Sequence, residues 1–410
     1  MTDLTSLLAS ILGVFALALI VRLLVRNRDR IAFASVLVAI GVAVSALGRS
    51  FGLELTSDLI LLVFLPTILF HGTTTLNIRQ LWRNIAPIAV LTLVGLPLAV
   101  VILGGVGSVA FDFPLIVALV FAAIILPTDP AAVLSIFEEL DVEERLSITI
   151  EGESLMNDGV AVVIFSALVV AYESSGSAAS LGTPFGLLAI AGDIAFVGGG
   201  GLAMGGIVGY LAHAGMRRLE DEMSILLLTI LVAYGSYLIA EHAFGLSGIL
   251  AVVGAGLLMG AHEETHHKMS TSEYHVQELW TMAAFLVSTV LYILIGAEVQ
   301  ISAFMRFADL VIGAAVLVVV ARAATIYPLL SATNFAIRRP IPISSQHVMV
   351  WGGLHTVVPV ALVLSLPTQF PYREELQVMT FGVAIISIVI QGLLMPVVLS
   401  RLGIGETSGG

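Results

Sequence analysis

Long apolar runs follow one another along almost the whole chain, and this feature limits the possible folds more than any other. A membrane-crossing helix needs about 17 to 25 mostly apolar residues. Runs of this kind predict thirteen transmembrane helices, near residues 5–25, 31–48, 56–73, 85–108, 114–138, 147–172, 185–214, 223–241, 243–261, 278–298, 305–331, 345–366 and 376–400. Since 58% of the 410 residues are hydrophobic and 11% are charged, we expect one all-α polytopic membrane domain, residues 1–410, rather than a soluble fold.

The composition also excludes some classes of partner and site. The formal net charge of −12 argues against nucleic acid as a partner. The chain has no cysteine, so neither a disulfide nor a thiolate metal site is possible. The lipid bilayer is the expected environment of most of the surface.

The distribution of Arg and Lys predicts the orientation in the membrane. Loops on the cytoplasmic side of membrane proteins carry an excess of these residues. One set of predicted loops holds Arg26, Arg28, Arg30, Arg79, Arg83, Arg145, Arg217, Arg218, Lys268, Arg338, Arg339 and Arg401, and the other holds Arg49, Arg306 and Arg373. With an odd number of spans, this bias predicts a multi-pass cell-membrane protein with its N-terminus outside and its C-terminus in the cytoplasm.

Two of the predicted spans contain helix breakers at corresponding places. Span five reads LPTDPAAVL over residues 126–134, where two prolines should open the helix around Thr128 and Asp129. Span twelve reads WGGLHTVVP over residues 351–359, where Gly352, Gly353 and Pro359 indicate a second break. The two spans lie seven apart, as expected for two inverted six-helix repeats, spans 1–6 and 8–13, with discontinuous crossing helices. Such breaks mark transporter sites near the membrane midplane.

Span six carries polar residues that lipid-facing packing does not explain. On a helix Glu153 and Asn157 share one face, and Ser154 and Asp158 share the next. Intramembrane carboxylates are costly and indicate function unless they are neutralised. Arg322, deep in span eleven, is the expected ion-pair partner of Glu153. No second buried cation remains for Asp158, so we expect its carboxylate to have a functional role.

The broken helix adds oxygen atoms beside this carboxylate. Asp129 either caps a half-helix N-terminus or contributes to a cation site, and a capping carboxylate can do both. Together with Ser154 and the freed Thr128 carbonyl, the carboxylates of Asp158 and Asp129 form an oxygen-rich pocket that suits a hard cation. A proton competes for the same carboxylate, so a site that faces the two sides alternately exchanges one ion for the other.

At these residues the chain resembles the NhaP-type branch of the monovalent cation/proton antiporters. The matching stretches are LPTDPAAVLSIFEEL, IEGESLMNDG, GLSGILAVVGAGLLMG, YILIGAEV, the ARA around Arg322, and WGGL followed by VALVLSLP. They occur in family order over most of the chain. The TDP and GESLMNDG pair is highly specific, whereas the glycine-rich stretches are weak when taken alone.

The resemblance implies a homodimeric secondary transporter, not an enzyme, that exchanges Na⁺ (or Li⁺) for H⁺ without a further cofactor and serves pH homeostasis. It implies a core transport part, approximately residues 84–182 and 303–402, that moves against an interface part, approximately residues 1–83 and 183–302. Carried over residue by residue, Asp158 binds the cation and the proton, and Asp129, Ser154 and the Thr128 carbonyl complete the Na⁺ site. The neutral Asn157 implies electroneutral exchange, and Glu153 with Arg322 implies a stabilising ion pair.

Two positions depart from the family pattern. His71 stands where the third span usually carries an acidic residue, and His355 replaces the Arg of WGGLRG. We hypothesise that these two imidazoles interact electrostatically and modulate the pH range of transport. The alternative is that both are ordinary polar residues near a cavity. Because of these two departures, the resemblance leaves the preference among Na⁺, Li⁺ and K⁺ open.

Other functions stay open from the residues alone. K⁺/H⁺ exchange uses the same kind of site, a passive cation channel would lack proton coupling, and an intramembrane hydrolase would use the carboxylates as an acid and base. Separately, Gly201, Gly205 and Gly209 in span seven predict a small-residue packing face. The sequence leaves open whether that face meets its own protomer or the dimer mate.

Overall fold

The fold is helical throughout the part of the chain that the structure describes. This computed structural model describes residues 4–25, 33–49, 51–175, 191–216, 218–219, 221–263, 271–337 and 339–405. We number the helices α1 Leu4–Val25, α2 Phe33–Ala46, α3 Ser57–Thr75, α4 Ile78–Arg83, α5 Ile85–Ala110, α6 Leu115–Ile125, α7 Ala131–Glu139, α8 Glu144–Ser175, α9 Ala191–Met216, α10 Glu222–Ala243, α11 Gly248–Glu263, α12 Thr271–Ala297, α13 Ile301–Arg306, α14 Ala308–Asn334, α15 Ile343–Trp351, α16 Val357–Ser365 and α17 Arg373–Leu402.

The apolar helices support the predicted membrane fold. Within the described residues, eight helices are long and apolar enough to cross a membrane: α3, α5, α8, α9, α10, α12, α14 and α17. Shorter apolar stretches lie in α1, α2, α6 and α11. The all-helical membrane class is therefore as predicted, and the count of thirteen spans stays a prediction. The first residues of the predicted seventh span, 185–190, lie outside the described residues.

Both predicted helix interruptions are present. α6 ends at Ile125 and α7 begins at Ala131, because Pro127 and Pro130 cannot donate the hydrogen bonds of a continuous helix. α15 ends at Trp351 and α16 begins at Val357. The second break differs in detail from the expectation, because Pro359 lies in the first turn of α16 rather than in the break. A proline is tolerated there, since the first N–H groups of a helix have no partner within it.

Glycines allow two pairs of helices to meet backbone to backbone. The face of Gly201, Gly205 and Gly209 on α9 packs against α11 of the same chain, and a Cβ at Gly205 would lie 1.8 Å from the Ala251 carbonyl oxygen. In the second pair, Gly41 of α2 meets Gly296 of α12, where either added Cβ would come within 2.2 Å of a carbonyl oxygen. Such contacts hold membrane helices together where lipid supplies no hydrophobic driving force.

The remaining packing places α8 beside the two broken helices. α8 packs against α5, α6 and α16, and α14 packs against α5 and α17. On the other side, α12 packs against α2 and α3, and α11 packs against α3 and α9. A cavity separates part of these two sets of helices, and the breaks open onto it.

Candidate cation-binding site

The two broken segments cross and hold each other through the backbone and side chains of the breaks. The Asp129 N–H donates to the Leu354 carbonyl oxygen over 2.7 Å. The Thr356 hydroxyl donates to Oδ2 of Asp129. The carbonyl and amide groups that the breaks free from helical bonding are therefore partly paired with each other, which membrane depth requires.

The Asp129 carboxylate receives two hydrogen bonds from the described residues. Besides the Thr356 hydroxyl, the Ala131 N–H donates to Oδ1 over 2.9 Å. The bond from Ala131 shows that Asp129 does cap the first turn of α7. Each carboxylate oxygen accepts more than one bond, so capping leaves room for a cation as well.

The Asp158 carboxylate has a different environment. It is 8% exposed and faces the same cavity as Asp129. No hydrogen-bond donor to it is found among the described residues, and its electrostatic neighbour is the like charge of Asp129. One turn earlier on α8, the Ser154 hydroxyl lies 2.9 Å from the Thr128 hydroxyl. The four predicted site residues thus lie together. Of the two carboxylates, that of Asp158 is the one that receives no hydrogen bond from the described residues.

The cavity has a volume of about 730 Å³. Asp158, Asp129 and Thr128 line it, as do Glu138 and Glu139 at the end of α7. Glu151, two turns before Asp158 on α8, also lines it, close to Gly72 of α3. A cavity with several carboxylates, and with no Lys or Arg among the described residues that line it, favours cations over anions.

Behind the cavity lies the ion pair expected from the sequence. Nη2 of Arg322 donates to Oε1 of Glu153 over 3.3 Å and to the Met349 carbonyl oxygen over 2.9 Å. Asn157 donates from Nδ2 to the same Glu153 oxygen over 3.1 Å. The guanidinium lies over Gly353, where a Cβ would be 2.4 Å from Nε. The contact is present as expected, and its stabilising role stays a prediction.

The two histidines occupy different environments. His71 lines the cavity, and its Nδ1 is buried without a partner among the described residues. His355 is 1% exposed, and its Nδ1 lies 3.0 Å from the Pro127 carbonyl oxygen, with Arg322 as its charged neighbour. His71 is therefore open to ions in the cavity, whereas His355 is packed within the crossing of the breaks. Their modulating role stays a hypothesis.

Sequence reasoning missed two residues of the site. Thr356 of the second break donates to the Asp129 carboxylate, and Tyr292 of α12 lines the same cavity as Asp129. A signal for Tyr292 does exist, because Thr281, Ser288 and Tyr292 recur at helical spacing in an otherwise apolar span and all line the cavity. Thr356 directly follows the WGGLH stretch, but nothing in the chain order shows that this break meets the first one.

Comparisons with known proteins agree with this membrane fold. The family model described as sodium/hydrogen exchanger, transmembrane, matches residues 12–401. The chain is 34% identical over 352 residues to the Na⁺/H⁺ antiporter ApNhaP of Aphanothece halophytica, a match that covers 86% of this chain and 66% of that protein. It is 31% identical over 353 residues to the Na⁺/H⁺ antiporter NhaH of Halobacillus dabanensis, covering 85% of this chain and 84% of that one.

A solved structure shows the same fold. The sodium proton antiporter MjNhaP1 from Methanocaldococcus jannaschii at pH 8 superposes with a TM-score of 0.75 over 97% of this chain and 99% of that chain, at 19% sequence identity. The chain spans about two thirds of the length of ApNhaP, at 66%. Since the family model covers nearly all of the chain, from residue 12 to residue 401, the protein belongs to the sodium/hydrogen exchanger family.

Proposed function

We propose that the protein is a secondary antiporter that exchanges Na⁺ (or Li⁺) for H⁺ across the cell membrane. The observation that carries this proposal is the carboxylate of Asp158, which faces the cavity with no donor among the described residues, beside the donor-bonded carboxylate of Asp129. A buried anion in this position is stabilised by a cation or a proton, and it takes one or the other. The matched Na⁺/H⁺ antiporters support the same choice of ions.

The proposed site uses oxygen ligands from both the broken helix and α8. The carboxylates of Asp158 and Asp129, the hydroxyl of Ser154 and the carbonyl of Thr128 surround Na⁺, which takes the oxygen ligands that hard cations prefer. When a proton instead neutralises Asp158, the Na⁺ ligand set is lost. The empty charged site is costly at membrane depth, by at least about 2.5 to 3.5 kcal/mol. The transporter therefore changes the side that its site faces only when Na⁺ or H⁺ is bound. One Na⁺ and one H⁺ add the same charge, which makes the exchange electroneutral.

The neighbouring cluster supports this stoichiometry. Asn157 is neutral and is tied to Glu153, which is paired with Arg322. None of these three side chains lines the cavity. The proton exchanged for Na⁺ is therefore assigned to Asp158 alone.

The alternating step is proposed to move a core part against an interface part. The core part, approximately residues 84–182 and 303–402, holds both breaks and α8, and the interface part, approximately residues 1–83 and 183–302, holds α12 and mediates a homodimer. Thirteen spans in two inverted repeats would relate the break between α6 and α7 to that between α15 and α16. With the C-terminus inside, as the Arg and Lys bias predicts, the cavity opens to the cytoplasm.

Purified protein in proteoliposomes tests the proposal. A pH-sensitive dye inside the vesicles should report alkalinisation or acidification when a Na⁺ gradient is imposed, and Asp158→Asn should reduce this signal to that of empty vesicles. Asp309→Asn is the matched control, because Asp309 is exposed at the start of α14 and does not line the cavity. Exchange that persists in Asp158→Asn would refute the assignment.

The same assay separates the alternatives. A series of Na⁺, Li⁺ and K⁺ gradients distinguishes Na⁺/H⁺ from K⁺/H⁺ exchange. Cation flux without movement of protons would indicate a passive channel. Cleavage of a reporter peptide with no ion flux would indicate an intramembrane hydrolase.

A further inference from the structure

The short helix α4 presents a tryptophan and an arginine on its outer side. It has six residues, Ile78–Arg83, and connects α3 to α5. Leu81 is buried against the bundle, whereas Trp82 is 68% exposed and Arg83 is exposed. Exposed tryptophan in a membrane protein is typical of the level of the lipid headgroups. An arginine beside it is therefore within reach of lipid phosphates.

Arg145, in the first turn of α8, links this connection to a second arginine. Its Nε donates to Oδ1 of Asn84, the residue after Arg83, over 3.0 Å. Its Nη2 donates to the Arg339 carbonyl oxygen over 2.5 Å, and its Nη1 donates to the Pro340 carbonyl oxygen over 3.3 Å. One guanidinium thus contacts both segments and places Arg83 and Arg339 at the same end of the bundle.

The positive charge of these arginines is not neutralised within the described residues. Arg83 and Arg339 are exposed and form no ion pair there, and the acceptors of Arg145 are all uncharged. Glu143 and Glu144 precede Arg145, but Glu144 accepts hydrogen bonds from two amide side chains at the start of α4. Three arginines against two glutamates leave a positive excess, which favours an anionic ligand.

Apolar side chains flank the second arginine in the chain. Phe335, just after the end of α14, is 94% exposed, and Ile343, the first residue of α15, is exposed as well. Exposed apolar groups of this size are unfavourable in water and are covered by acyl chains at a membrane surface. Charged and apolar groups together therefore fit an amphipathic ligand better than a free anion.

We propose that this end of the bundle binds an anionic phospholipid. Arg83 and Arg339 hold its phosphate, since a guanidinium donates two parallel hydrogen bonds to phosphate oxygens. Arg145 lies between them and adds its charge, and the acyl chains cover Trp82 and Phe335. Basic pockets between transmembrane helices on the cytoplasmic side bind such headgroups. The inference goes beyond the proposed antiport, because it holds whichever ions the protein carries.

Thermal unfolding in a neutral detergent tests the lipid site. Phosphatidylglycerol should raise the melting temperature by about 3 °C more than phosphatidylcholine with the same acyl chains, at a lipid concentration of about 100 times its Kd. Inorganic phosphate should not raise it, because phosphate alone cannot cover the apolar side chains. Equal shifts from the two lipids, or an equal shift from phosphate, would overturn the inference.

The variant that carries both Arg83→Gln and Arg339→Gln should lose the additional shift caused by phosphatidylglycerol. Both positions are exposed, so without lipid its melting temperature should stay within about 1 °C of the unmodified protein. Arg49→Gln combined with Arg401→Gln is the matched control, since it removes two exposed arginines elsewhere on the surface and should keep the shift. A shift retained in the first variant, or lost equally in the control, contradicts a specific site.

Discussion

Removing one partner of the Glu153 and Arg322 ion pair is expected to destabilise the protein strongly. Both side chains are buried, at 4% and 6% exposure, and their charged atoms lie 3.3 Å apart. At an effective dielectric constant of about 20, two unit charges at this separation attract each other by about 5 kcal/mol. Desolvation of both groups offsets much of this attraction in the intact pair.

The expected loss of stability depends on the charged side chain that remains buried after its partner is removed. Arg322→Met leaves the Glu153 carboxylate buried with Asn157 as its one donor among the described residues, which costs about 3 to 5 kcal/mol. It also removes the bond to the Met349 carbonyl oxygen. With an unfolding entropy of about 2.1 cal/mol/K per residue, or about 0.9 kcal/mol/K for the 410 residues, the melting temperature should fall by roughly 4 to 6 °C.

Thermal unfolding of purified protein in detergent, followed by intrinsic fluorescence, measures this effect. Arg306→Met is the control, because Arg306 pairs with Glu374 on the surface, where both side chains are more than half exposed and an ion pair contributes about 0 to 1 kcal/mol. The double variant Glu153→Leu with Arg322→Met leaves no orphaned charge and should be more stable than Arg322→Met alone. An unchanged melting temperature in Arg322→Met, or a double variant that loses the sum of the two single losses, would refute this reasoning.

Three further predictions follow, two from the histidines and one from the helix crossings. His71→Glu adds a negative charge to the cavity wall and should move the pH profile of exchange to higher pH by on the order of one unit; transport measured over a pH series tests this, and an unshifted profile would contradict it. His355→Arg buries a second cation beside Arg322 and should instead lower the melting temperature, which thermal unfolding measures. Gly205→Val adds a side chain where even a Cβ would lie 1.8 Å from the Ala251 carbonyl oxygen, so we expect a loss of more than about 3 kcal/mol in stability. Size-exclusion chromatography should show poor recovery of folded protein. A variant at Gly13, which has open space around it, should be recovered normally.

Local chemistry explains why the broken helices were predictable. Pro127 and Pro130 remove backbone donors wherever they occur, so the opening around Asp129 follows from the sequence alone. The expectation for Pro359 was partly wrong, because a proline either interrupts a helix or occupies its first turn. Pro359 lies in the first turn of α16, and the order of residues in the chain does not distinguish these two roles.

Contacts between distant segments account for what the sequence did not show. The pairing of Glu153 with Arg322 was predictable because two opposite buried charges in a membrane have few other partners. Tyr292 has no such constraint, since a tyrosine near the end of an apolar span is common. Only the fold shows that α12 brings Tyr292 to the cavity that Asp129 lines. The glycine face of Gly205 was predicted to pack, and the fold identifies α11 as its partner.

The glycine crossings also determine where the molecule is able to shear. Helices whose backbones touch, as α9 and α11 do at Gly205, have no intervening side chains whose rotamers can change, so they are expected to travel as one piece. α8 and α11 meet differently, because the side chain of Leu250 fills the space over Gly159. A flexible leucine permits sliding where a bare backbone does not. Gly159, the residue next to Asp158, therefore lies at the deformable junction, so that sliding along it displaces the Asp158 carboxylate relative to α11.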